Sequence, residues 1–303
     1  MPDQHVTFGV KTTPMRAGYQ EILRVWQEAD ERPELADAWL WDHLTALGPD
    51  PAAPVLEGWT LLAALAARTE RLGLGLLVTS NRIREPAVLG KIATTVDVIS
   101  GGRLVMGLGV GGTRQPPGTG GIPGPNPAVA EYAAYGLDLV PPGEGVERLA
   151  ETIAILKGMW TEEVLDFAGR HYTLTGNRNE PKPVRPGGPP LLLGGWGTRV
   201  LRLVAEHADA WNVPGPPHND VAWIAGRARV LDAHCADIGR DPAEIARSVQ
   251  YIVDTADAAG TRAAVAELIA AGMTHIVLSL RPPYPPGAVA WLVEEVVRPA
   301  REG

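Results

Sequence analysis

The chain has 303 residues, 45% of them hydrophobic, with a formal net charge of −8 and a pI near 5.4. That length supports a large buried core, while the acidity excludes nucleic acid or an anionic membrane as the main partner. No apolar run of about 18 residues offers a membrane span, the N-terminus carries no signal-like segment, and the single cysteine, Cys235, permits no internal disulfide, so a cytoplasmic protein is expected.

Apolar runs alternate with amphipathic segments along almost the whole chain. Strands are predicted at Val6–Lys11, Ala38–Asp42, Leu72–Thr79, Arg103–Leu108, Pro190–Gly194, Ala210–Val213, Ser248–Asp254 and His275–Leu280. Helices are predicted at Tyr19–Glu31, Gly58–Thr69, Pro86–Ile99, Gly145–Trp160, Thr198–His207, Asp220–Ile238, Thr261–Ala271 and Pro286–Arg298. Strand followed by helix, repeated in this way with near-continuous apolar strands, is the pattern of a (β/α)8 TIM barrel, here one α/β domain over residues 1–303. The glycine- and proline-rich stretch Gly111–Gly145 follows the fourth strand as a long insertion, placed to cover the barrel mouth. Val164–Leu174 reads as a hairpin turning at Ala168-Gly169.

In a barrel, chemistry belongs to the carboxyl ends of the strands and the loops after them. Gly107-Leu108-Gly109-Val110-Gly111-Gly112 matches the G-x-G-x-x-G dinucleotide fingerprint, but Thr113 to Gly118 brings two prolines where the fingerprint requires a helix to open, so a Rossmann site is not expected. A second cluster, Gly194-Gly195-Trp196-Gly197, runs straight into the helix that begins at Thr198, and a helix N-terminus with free N–H groups suits a phosphate. Two glycine clusters on neighbouring loops suggest an elongated, phosphorylated cofactor.

Asp42 and His43 follow the second strand, and an imidazole there is suited to proton transfer near neutral pH. Lys11 ends the first strand, where barrel aldolases place a Schiff-base lysine, but Thr12-Thr13-Pro14 supply no acidic neighbour. The seven histidines form no metal-binding pattern, and no metal site is expected. Cys235 lies in a helix away from any strand end and is expected to be inert. The tryptophans Trp39, Trp41, Trp59 and Trp211 suggest an apolar, aromatic pocket, with Trp59 the one assigned to packing.

Taken together, Trp39–His43, Thr79–Pro86, Asp97–Gly112, Gly136–Leu174 and Gly194–Asn212 resemble, in order, the luciferase-like monooxygenase superfamily, and within it the branch that uses the deazaflavin coenzyme F420. The resemblance implies a TIM barrel holding the tricyclic ring at the strand carboxyl ends. It implies that Asp42 and His43 lie beside the ring, and that Leu76, Leu77 and Thr79 form a bulge behind it, with a non-prolyl cis peptide near Leu76–Leu77. It also implies that Val110, Gly111 and Gly112 run along the cofactor, and that Gly194, Gly195, Trp196 and Gly197 hold its phosphate. His43 is the expected proton-transfer group. Relatives that oxidise glucose 6-phosphate carry an acidic residue at the position of Arg114 and a tryptophan at that of Leu47, so sugar-phosphate oxidation is not expected. The implied protein transfers a hydride between deazaflavin C5 and a small-molecule substrate, and relatives are often homodimers. Two readings stand beside it: an FMN-dependent monooxygenase, for which Arg114 beside the glycines is the argument, and a non-catalytic flavin-binding barrel.

Overall fold

The computed structural model describes residues 6–48, 50–114, 126–215 and 220–302. The first strand, β1 (Thr7–Lys11), is followed by α1 (Tyr19–Asp30), β2 (Asp37–Leu40), α2 (Gly58–Ala66), β3 (Gly73–Leu76), β4 (Thr79–Ser80), α3 (Pro86–Ser100) and β5 (Met106–Gly109). An added helix, α4 (Pro127–Ala134), precedes α5 (Pro142–Thr161), and the antiparallel pair β6 (Leu165–Ala168) and β7 (Thr173–Asn177) comes next. The second half runs β8 (Leu191–Gly194), α6 (Thr198–His207), β9 (Ala210–Val213), α7 (Val221–Asp237), β10 (Ala246–Ile252), α8 (Ala258–Ala270) and β11 (His275–Ser279). It ends in α9 (Ala288–Leu292), a π-helical turn Val293–Val297 and α10 (Arg298–Glu302).

The parallel sheet has the order β3-β2-β1-β11-β10-β9-β8-β5-β4. Because β3 and β4 are consecutive pieces of the third strand, the two ends of that order meet, and a parallel bridge between Leu74 and Leu104 completes the ring. This is the (β/α)8 barrel that the alternation of apolar segments predicts. Period-two alternation sorts the strand residues. Leu74, Leu76, Leu108, Leu193, Val213 and Ile276 join the large core shared with the helices, whereas Trp39, Leu77, Leu192 and Val277 form a separate cluster inside the ring.

Local chemistry sets the helix ends. Pro86 opens α3, where its missing N–H costs nothing, and Gly101 closes it with φ of 68°. The Glu57 carboxylate caps α2 by accepting the Trp59 and Thr60 N–H groups.

Three expectations are corrected. Strand two stops at Leu40, so Trp41, Asp42 and His43 lie beyond the ladder and are free to follow the loop. Strand three is interrupted: Leu77 N–H still donates to the Leu40 carbonyl at 2.9 Å, but pairing then passes to β5 at Thr79. The irregularity, with a cis peptide between Leu77 and Val78, therefore falls one residue beyond the expected Leu76–Leu77. The insertion after strand four contains α4, and α5 begins at Pro142 rather than Gly145; residues 115–125 of that insertion lie outside the described residues.

Candidate active site

At the carboxyl end of β2 two adjacent side chains are held by different parts of the fold. Asp42 is 3% exposed. Its Oδ2 accepts the Ser80 N–H at 2.9 Å, and Arg84 donates to both carboxylate oxygens, Nη1 to Oδ2 at 2.8 Å and Nη2 to Oδ1 at 3.0 Å. The same guanidinium reaches Glu57, so one cation ties the β2 loop, the loop after β4 and the cap of α2 together. Burial pushes the Asp42 carboxyl up, and Arg84 and the Ser80 amide oppose that push. The chemistry of Asp42 is that of a clamp.

His43 faces the other way. Its Nδ1 lies 3.1 Å from Oε2 of Glu131 on α4, and a carboxylate can only accept, so Nδ1 carries the proton and Nε2 is the nitrogen that can accept whenever the ring is neutral. The His43 side chain is 35% exposed whereas Glu131 is 3% exposed. Glu131 Oε1 accepts the N–H groups of Leu44 at 2.6 Å and Thr45 at 3.2 Å. Burial would lift its carboxyl, but the hydrogen bond and charge of His43 with these two amides outweigh it and hold Glu131 below the usual carboxylate range. Trp41 stands edge-on to the imidazole, ring centroids 5.0 Å apart, and its indole N–H donates to Thr13 Oγ1 at 2.8 Å.

The next residue of α4 closes the gap between β4 and β5. Tyr132, 1% exposed, accepts the Gly112 N–H at 2.7 Å, and its hydroxyl shares a hydrogen bond with Ser80 Oγ, also 2.7 Å away. Gly111 has φ of +81°, and a Cβ there would meet Ser80 Oγ at 2.5 Å; one at Gly112 would meet the Tyr132 ring at 2.6 Å. The close approach that Gly111 permits is thus mainly to β4, and that of Gly112 is to α4. Gly109 and Gly194 serve the bulge in the same way, since a Cβ at either would run into Val78, at 2.5 and 2.8 Å. Leu76, Leu77 and Thr79 are all buried, and Val78 between them is half-exposed. Val110 packs partly buried against the core.

The second glycine cluster is different. Gly197 is exposed, a Cβ there would meet nothing within 4 Å, and as the N-cap of α6 it supplies no capping side chain. The N–H groups of the first turn of α6 accordingly have no intrahelical acceptor. Gly195 has φ of +138°, and its carbonyl is fixed by the Trp211 indole N–H at 2.7 Å. Trp196 lies 6.3 Å from Trp223, centroid to centroid. An uncapped, glycine-opened helix terminus with Arg199 exposed beside it fits a phosphate, so the residues present accept the phosphorylated cofactor that the resemblance implies.

Of Trp39, Trp41 and Trp211, expected around a pocket, Trp41 alone touches the catalytic candidate, and Trp59 packs in the core as expected. Trp39 is inside the ring, donating to Asp37 at 2.5 Å, and Trp59 and Trp211 are packed in the main core. Glu131, Tyr132 and Arg84 are not singled out by the sequence. The only signal for Glu131 is a lone carboxylate in the otherwise uncharged PAVAEYAA of α4. Cys235 is buried in α7, where burial pushes its thiol up and away from thiolate chemistry. Among the described residues no group of three or more His, Cys, Asp or Glu side chains is placed to hold a metal ion, and no helix is long and apolar enough to cross a membrane.

Two mycobacterial phthiodiolone/phenolphthiodiolone dimycocerosates ketoreductases are similar to the chain. The protein from Mycobacterium sp. (strain JLS) is 29% identical over 236 residues, 72% of this chain and 57% of its own length. The one from Mycobacterium kansasii is 30% identical over 230 residues, 68% of this chain and 56% of its own length. The matched region thus spans a little over half of these relatives. Among solved structures, an F420-dependent secondary alcohol dehydrogenase in complex with an F420-acetone adduct superposes with a TM-score of 0.79 at 14% identity, covering 98% of this chain and 99% of that one. The coenzyme F420-dependent tetrahydromethanopterin reductase of Methanopyrus kandleri gives 0.75 at 17% identity, covering 97% and 99%. A riboflavin lyase with modified FMN gives 0.74 at 14% identity, covering 98% and 92%. The family model for luciferase-like monooxygenases matches residues 5–290, and the chain belongs to that family.

Proposed function

We propose that the protein is an F420-dependent oxidoreductase that interconverts a small carbonyl compound and its alcohol, with His43 moving the proton. The observation that carries this reading is the pairing of His43 Nδ1 with the buried Glu131, which leaves Nε2 as the free acceptor on a half-exposed ring at the barrel mouth. When bound, the deazaflavin supplies a hydride donor or acceptor at C5.

The chain's own residues do the remainder. Gly195, Trp196 and Gly197, with Gly194 before them, would hold the phosphate at the N-terminus of α6. Val78 and Val110 would meet the ring, with Leu76, Leu77 and Thr79 supporting the bulge from the interior, Asp42 fixing the loops around it and Gly111 and Gly112 keeping α4 close. His43 Nε2 takes the hydroxyl proton when the alcohol is oxidised, and returns it to the carbonyl oxygen when the reaction runs in reverse. Glu131 stabilises the imidazolium that forms and keeps the proton on Nδ1 in the resting state, the part that an orienting carboxylate plays beside a catalytic histidine. The ketoreductase and alcohol dehydrogenase names of similar proteins support the carbonyl–alcohol class.

The test is anaerobic oxidation of reduced F420 by a panel of ketones, followed by absorbance. Wild type should turn over at least one ketone, and His43→Ala should lower kcat by about 10²–10⁴-fold. A His43→Ala enzyme with unchanged kcat refutes the assignment. Arg114, exposed and following the β5 glycines, favours the second reading, an FMN-dependent luciferase-like monooxygenase. That enzyme would instead consume oxygen with reduced FMN.

A further inference from the structure

Five hydrogen bonds cross the barrel interior from the rim that carries His43 to the opposite end. Lys11 Nζ donates to Gln250 Oε1, Gln250 Nε2 to Asn212 Oδ1 at 2.8 Å, and Asn212 Nδ2 to Ser248 Oγ at 2.8 Å. Ser248 Oγ lies 2.9 Å from His275 Nδ1, and His275 Nε2 lies 3.0 Å from Asp37 Oδ2. An ammonium only donates and a carboxylate only accepts, so the Gln250 and Asn212 amides orient the same way from Lys11, and His275 donates to Asp37 at the other end. Gln250, Asn212, Ser248 and His275 are buried. The wall made by β9, β10, β11 and β1 is therefore polar and polarised, with a cation at its upper end and its carboxylate at the lower one.

Lys11 is the last residue of β1, so its ammonium sits at the carboxyl rim. It offers three donors, and Gln250 takes one. Two residues further on, Thr13 holds the indole of Trp41, and Trp41 stands against His43, which puts Lys11 and His43 on neighbouring strand ends of one mouth. No ion pair is formed by Lys11 among the described residues, and burial alone pushes it down to about 8, so it is still mainly protonated at neutral pH. Taking a cation out of water without a counter-ion is unfavourable, and an anion that enters the site restores the lost interaction.

We propose that Lys11 is a specificity-determining residue of this site, and that its ammonium receives a carboxylate group of the substrate. The inference rests on the reading of the barrel mouth as the substrate site. A charge-assisted N–H···O⁻ bond is about twice as strong as a neutral one, so the site should separate a carboxylate from the amide of the same shape.

The experiment titrates the cofactor-free full chain calorimetrically with butyrate, benzoate and octanoate, and with the three corresponding amides. At least one carboxylate should bind ten-fold or more tightly than its amide. Lys11→Met should abolish that preference, and Lys11→Arg should keep it. Equal affinities, no binding across the panel, or a preference that survives in Lys11→Met would overturn the proposal. The wild-type comparison decides the matter even where a variant does not fold. F420 is titrated into the same wild-type sample: F420 binding without a carboxylate preference defeats this inference alone, and a carboxylate preference without F420 binding defeats the functional reading alone.

Discussion

The two glycine clusters look alike in sequence and differ in what fills the space beside them. Around Gly107–Gly112 that space is taken by the protein itself: the Leu76 carbonyl, Val78, Ser80 and Tyr132 stand where side chains would project. Around Gly194–Gly197, Val78 covers Gly194, but Gly197 opens onto nothing within 4 Å. Glycine at a strand end records a close approach, and only the surroundings say whether the approaching group is internal or a ligand. The first cluster seats the insertion that orients His43, and the second leaves a helix terminus open.

The comparison can be broken at the first cluster most sharply with Gly107→Ala. The new Cβ would collide with the backbone carbonyl of Leu76, which cannot step aside without moving the bulge. A destabilisation of about 3 kcal/mol or more is expected in chemical denaturation, at the upper end of overpacking effects. Gly112→Ala pushes on the Tyr132 ring instead, and should cost about 1–3 kcal/mol. Tyr132→Phe should fall in the same range, because it leaves the Gly112 N–H without its acceptor.

Acid should loosen the first cluster by a different route. Glu131 is held below its ordinary value of 4.5 in the folded protein, so its contribution is fully present above that pH and is lost as pH falls through the lower folded value. Hydrogen-exchange protection of α4 should accordingly decline below pH 4.5 in wild type, and Glu131→Gln should show less of that decline. The second cluster should respond least. Gly197→Ala meets open space at an ordinary φ of −65°, so stability should change by no more than about 0.5 kcal/mol in thermal melts.

The barrel was legible because buried parallel strands and amphipathic helices alternate with distinct periods, and those periods depend on local sequence. The site was legible only in part, for reasons that particular residues make plain. His43 could be found because a strand end locates it. Glu131 could not, because its partner is 88 residues away in sequence and it rides on α4, a helix of two turns flanked by proline and glycine. Trp39 and Trp211 were expected at a pocket and pack in the interior, because alternation along a strand shows which residues share a face but not which face meets a pocket. Lys11 was weighed only for a Schiff base, as its link to Gln250 joins residues 239 positions apart.

In the function proposed above, the open helix terminus and the His43 rim together hold a phosphorylated deazaflavin. Titration of the protein with F420 and with FMN, at equal concentrations and followed by fluorescence quenching, tests it most directly. Saturable F420 binding that is at least ten-fold tighter than FMN binding is the predicted result. Tight FMN binding with no F420 binding would contradict it.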